Sequence, residues 1–158
     1  RRGMRVIPLS TQDMREVYEV LTAVETQAVE LFARRNPGPE ELEDLQDALK
    51  DMDAALSEDD LQAWADADDR FHAALLVGCG NQRLAAIASN VRDQGHRARL
   101  LTLRLRPRPK KSNKEHRDVF NAIKKGAWAR ARHLHYEHRR RTSEVLLEIL
   151  KSYPLPPL

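Results

Sequence analysis

The chain predicts an all-α protein, an antiparallel bundle of about six helices. Three observations carry this prediction. Glycine is scarce, six in 158 residues, while Ala, Leu, Arg and Glu dominate. Apolar residues recur at intervals of three and four along most of the chain. The gaps between these stretches are short and hold Gly, Pro, Asn and Ser. A strand pattern occurs only in "MRVIPL", Met4 to Leu9.

The first helix starts at Ser10 or Thr11, with Asp13 in its first turn where the helix dipole favours a carboxylate. Val17, Val20, Leu21, Val24, Ala28 and Leu31 form its stripe, and "NPGPE", Asn36 to Glu40, ends it. The second helix begins at Pro39 and runs to about Leu56, burying Leu42, Leu45, Leu49, Met52 and Leu56. Ser57 with Asp60 resembles a capping box for the third, which carries Leu61, Trp64, Ala65, Phe71, Leu75 and Leu76. "GCGN", Gly78 to Asn81, breaks that helix, and Asn81 caps a fourth reaching about Leu105. Pro107 and Pro109 force a loop. Ser112 or Asn113 then caps a fifth helix ending at Gly126, and a sixth spans about Ala127 to Ser152.

Composition restricts function. A single cysteine, Cys79, excludes an intrachain disulfide and suits a reducing compartment. No apolar run is long enough to cross a bilayer, and the basic N-terminus has no apolar core behind it. The expectation is a soluble cytoplasmic protein with no membrane partner. Formal charge is +3 but unevenly spread: acidic from Glu40 to Asp69, basic from Arg97 to Arg117. The basic stretch has no aromatic residue to stack a base and contains two prolines, so it reads as a solvated helix end and loop rather than a nucleic-acid surface.

The chemistry lies in the histidines. Asp68 and His72 are four apart and share one helix face. His116 continues the stripe of Val119, Phe120 and Ile123. His138 lies near that of Leu134, Val145, Leu146 and Ile149. Three inward histidines and a carboxylate make an N₃O set suited to Zn, Ni, Co, Mn or Fe, with positions left for water or a ligand. The alternative is that each inward histidine is a hydrogen-bonded core residue. His135, three before His138, can line the same cavity, and His133 is a further candidate. His96 reads as a surface residue. "HLHYEH" fits neither HExxH nor HxxEH, Cys79 lacks an orienting partner, and Gly78 to Asn81 is no phosphate loop.

The stretches "DMREVYEVLTAVETQAVELFARR", "DADDRFHAALLVGCGN" and "EHRDVFNAIKKGAWARARHLHYEH", in this order and spacing, resemble the C-terminal FCD domain of GntR-family regulators of the FadR subfamily. The resemblance implies a helical bundle with a central cavity for a divalent metal and a small effector, often a carboxylate. It also implies metal ligation by Asp68, His72, His116 and His138, and a homodimer. On this reading, residues 1–10 are a linker or the remnant of an N-terminal winged helix, 11–152 the effector-binding domain, and 153–158 a Pro-rich tail. DNA would be contacted only through that winged helix. Asn90, Gln94 and Arg97 on the fourth helix, with His135, are the candidate effector-lining residues. One departure stands out: where the family carries Arg four residues before Glu25, this chain has Leu21, so carboxylates should bind less tightly and depend more on the metal. The first and fourth helices, with Val20, Leu21, Leu100 and Leu101, are the expected dimer interface. A metalloenzyme built on the same four ligands is the alternative function.

Overall fold

The structure is a computed structural model that describes residues 10–153, the side chain of Arg97 excepted. The Met4–Leu9 stretch and most of the Pro-rich tail lie outside the described residues. Six α-helices follow one another: α1 Thr11–Arg34, α2 Pro39–Ser57, α3 Leu61–Gly78, α4 Gln82–Thr102, α5 Lys110–Lys124 and α6 Trp128–Ser152, with a 3₁₀ turn at Leu103–Leu105 after α4. None of them is long and apolar enough to cross a membrane.

Local chemistry sets most boundaries. Ser10 caps α1 by accepting from the Asp13 amide at 2.9 Å. Asn81 caps α4, accepting from the Leu84 amide at 3.1 Å. Gly78 closes α3 against Phe32 so tightly that an added Cβ would lie 2.2 Å from the ring. Two expectations are corrected. Asp60, not Ser57, caps α3, accepting from the Ala63 amide at 2.9 Å; Ser57 instead ends α2, bonding the Ala54 carbonyl. Helix α5 begins at Lys110, so Ser112 and Asn113 are buried inside it rather than capping it. Asn113 accepts from the Trp64 indole at 2.7 Å and donates to Asp53 at 2.9 Å, which ties α5 to α3 and α2.

Packing joins α1 to α6 and α4, α2 to α3, and α5 to α6. The larger core lies among α1, α2, α3 and α5, around Phe32, Leu45, Met52, Phe71 and Ile123. A second core joins Met14, Val17, Tyr18 and Leu21 of α1 to Ala98 of α4 and to Leu146, Leu147 and Leu150 of α6. The histidines of α3, α5 and α6 fill the space that these apolar layers leave. The acidic and basic stretches meet each other: Arg117 pairs with Asp53, and Arg108 with Asp59 and the Leu56 carbonyl.

Candidate metal centre and cavity

Asp68 and His72 project from one face of α3 toward α5 and α6, as their four-residue spacing requires. His116 Nε2 lies 3.1 Å from His138 Nε2 and 3.5 Å from Asp68 Oδ1, and His72 Nε2 lies 3.8 Å from the same oxygen. The donor atoms of His72, His116 and His138 all fall within 4.8 Å of one another. Two donors each about 2.1 Å from one ion sit roughly 3.0–3.4 Å apart at right or tetrahedral angles. The His116–His138 spacing therefore fits two donors on one ion, while the longer distances to Asp68 need an inward shift. All three rings are buried, and Asp68 is half-buried at the edge.

Carboxylates behind the rings set which nitrogen carries the lone pair. His72 Nδ1 faces Glu25 Oε2 at 2.9 Å, and His138 Nδ1 faces Glu115 Oε2 at 2.8 Å. An ionised carboxylate only accepts, so each Nδ1 donates its proton and each Nε2 turns its lone pair inward. Glu115 is held in turn by Arg141 and stays ionised, its pKa lowered to about 2: burial opposes ionisation, but bonds from His138 and Arg141 outweigh it. Glu25 is held well below the usual range, since Arg139, His72 and His135 together overcome its burial. Burial pushes His72 and His138 down to about 4 and His116 well below its ordinary value. These imidazoles are neutral near pH 7, the form that binds metals.

Beside the rings opens a cavity of about 320 Å³. Asp68, His72 and His138 form one part of its wall; Tyr18, Trp64 and Leu103 supply apolar surface; Arg99, Arg106, Arg108, Lys111, Arg139 and Arg141 bring positive charge. The basic stretch expected to be a solvated loop thus wraps the cavity mouth. Its Arg99 is partnered by Asp69 at 2.5 Å.

The expected lining residues fall elsewhere. Asn90 and Gln94 are exposed and bond each other at 3.3 Å. The buried face of α4 is Ala88, Arg92, Gly95, Ala98 and Thr102, and positions 90 and 94 lie on its far side. The Arg97 side chain is outside the described residues. His135 is buried, but behind Glu25, to which its Nε2 donates at 3.1 Å; it does not line the cavity. His133 is exposed, and so is His96, beside Asp69. Sequence reasoning missed Glu115, Arg106 and Arg139. For Arg139 a signal existed: it follows His135 by four and precedes Leu146 by seven, which places it on the inward stripe of α6.

The FCD domain family model matches residues 16–141. The chain belongs to the FCD domain family. This FCD domain is 39% identical over 84 residues to an uncharacterised HTH-type transcriptional regulator in the TAR-I ttuE-ttuC′ intergenic region of Agrobacterium vitis. That alignment takes in 52% of the chain and 48% of the relative, so the match spans about half the relative's length. Among solved structures, the fold is similar to the FCD domain of TM0439 in metal-free form (TM-score 0.75, 21% identity, 92% of this chain and 99% of that one). It is similar too to the Zn²⁺-bound form of that domain (TM-score 0.71, 22% identity, the same coverage). E. coli McbR/YncC superposes with TM-score 0.78 at 18% identity, covering 94% of this chain and 73% of that one. Of these, the Agrobacterium vitis protein is named as a transcriptional regulator.

Proposed function

We propose that this FCD domain is the ligand-sensing and dimerising part of a GntR-type transcriptional regulator. It holds one divalent metal on Asp68, His72, His116 and His138 and receives a small organic acid in the adjoining cavity. The observation that carries this reading is the convergence of three buried, neutral imidazoles, of which His72 and His138 are oriented by carboxylates and line a cationic cavity. A bound ion would offer its remaining coordination positions to a ligand oxygen. Zn, Ni or another transition metal suits this borderline donor set, and the Zn²⁺-bound form of the TM0439 domain supports zinc as the first ion to try. DNA would be met through a winged helix preceding this domain, in the cytoplasm, and two-fold symmetry would match paired half-sites. Val20, Leu100 and Leu101 are exposed and supply apolar surface to such a dimer.

Metal analysis of the purified chain tests the central claim. About one divalent ion per chain is expected, and His116→Ala or His138→Ala should each lose most of it. Chelation should lower the melting temperature, because an ion that binds only the folded state stabilises it. Full occupancy in both variants would refute the ligand assignment. Equilibrium sedimentation at micromolar concentration tests the dimer, and a monomer there would refute it.

A further inference from the structure

Arg139 is 3% exposed, yet its Nε and one terminal nitrogen have no hydrogen-bond partner among the described residues. The nearest carboxylate oxygen, Glu25 Oε2, is 3.6 Å from Nε, beyond hydrogen-bond range, and already accepts from His72 and His135. Buried guanidinium groups are seldom left with donors unmade, because desolvation without a replacement bond is costly. Arg139 lines the cavity and follows His138 directly, so a molecule touching the metal face is within one side chain of it. The Tyr18 ring lies under its guanidinium, 5.3 Å from centroid to Cζ, and Tyr18 is three residues before Leu21 on α1. Leu21 itself is sealed in the apolar core.

Charge then narrows the ligand. Arg99 is met by Asp69, Arg141 by Glu115 and Arg108 by Asp59. Arg106 has no carboxylate partner among the described residues; its donors go to Thr102 Oγ1 and the Arg99 carbonyl. Lys111 is exposed to solvent at the mouth; of the remaining groups, a divalent ion together with Asp68, Glu25, Arg139 and Arg106 leaves two positive charges to be met.

We infer that the effector is a small dianion, a dicarboxylate that places one carboxylate at the metal face and the other on Arg139, with Arg106 beside it. The inference rests on the metal and organic-acid reading above and specifies its ligand. Arg139 is then the residue that distinguishes two charges from one.

Calorimetry on the zinc-loaded chain, freed of unbound metal, tests it with acids paired by length: malonate, succinate and glutarate against propionate, butyrate and valerate. In the wild type, at least one dicarboxylate should bind about tenfold or more tightly than its monoacid, the scale of one charge-assisted bond. Arg139→Met should bring the two within about twofold, the loss falling mainly on the diacid, and Arg139→Lys should keep part of the preference. Arg106→Gln should weaken the dicarboxylate selectively, and it keeps the test open should Arg139→Met fail to fold. Equal affinity for diacid and monoacid in the wild type, or full preference retained in Arg139→Met, overturns this proposal alone. Failure of all six acids to bind overturns the organic-acid reading as well.

Discussion

Replacing Glu25 with Gln probes the buried hub of the site. One carboxylate oxygen accepts from His72 at 2.9 Å and from His135 at 3.1 Å, and faces Arg139 Nε at 3.6 Å. Glutamine keeps the shape but removes the charge and brings an NH₂ donor to a place where three donors already point. Arg139 is then buried without its counter-charge, a change that typically costs about 3–5 kcal/mol. For a chain of this size, roughly 2–4 °C of melting temperature goes with each kcal/mol, so a fall of about 6–20 °C is expected. A separate effect falls on the metal. Without the carboxylate, His72 Nδ1–H loses its anionic acceptor and the Nε2 lone pair is less firmly aimed. Loss of such a partner commonly weakens metal affinity about 10–100-fold. Differential scanning fluorimetry on the metal-free variant isolates the first effect; competition with a chromophoric zinc chelator measures the second. Zinc affinity within twofold of wild type would refute the view that Glu25 orients His72. An unchanged metal-free melting temperature would refute its role as counter-charge.

Gly78→Ala should destabilise the fold: helix propensity favours Ala by about 1 kcal/mol, but a Cβ 2.2 Å from the buried Phe32 ring overpacks the core at a cost of roughly 1–3 kcal/mol. A raised melting temperature would contradict the close contact. Asn113→Ala leaves the Trp64 indole N–H unpaired in the core and should cost about 1–3 kcal/mol, read by urea denaturation; a neutral result would mean that the indole finds another partner. In chelator, stability should decline as pH falls from about 6.5 toward 4. Unfolded histidines take up protons throughout that window, whereas folded His72 and His138 resist until about 4, so acid favours the unfolded chain. A melting temperature flat between pH 7 and 5 would show that these rings are not buried as described.

Periodicity made the six helices and the direction of four site residues readable, because burial imposes a spacing that one sequence displays. The inward face of His116 followed from Val119, Phe120 and Ile123 at +3, +4 and +7, and that of His138 from Leu134, Val145 and Leu146 at −4, +7 and +8. Where the reading failed, tertiary contact had replaced a local rule. Asn113 looks like a cap, but its amide is used by Trp64 and Asp53, which lie 49 and 60 residues away. Asn90 and Gln94 carry the right chemistry on the wrong side of α4, since polar residues leave the phase of a helix undetermined. The Arg97–Arg117 stretch looks solvated because charge in sequence gives no hint of the cavity that Arg99 and Arg106 enclose. Arg139 was hidden by its neighbours Arg140 and Arg141, although its phase was inward.

Asp68 and Asp69 are consecutive residues with different engagements. Asp68 faces the imidazoles of α5 and α3. Asp69 is gripped from α4 by Arg92 at 3.1 Å, Arg99 at 2.5 Å and His96 at 3.3 Å, and Arg92 also reaches its backbone carbonyl at 2.9 Å. A single peptide unit joins the two, so a twist of α3 that draws one carboxylate toward an ion must either swing the other or break its grip. The grip on Asp69 thus fastens α3 to α4 one residue from the carboxylate that faces the histidines, so the cluster and the helix carrying the exposed Ile87 and Leu101 share one anchor.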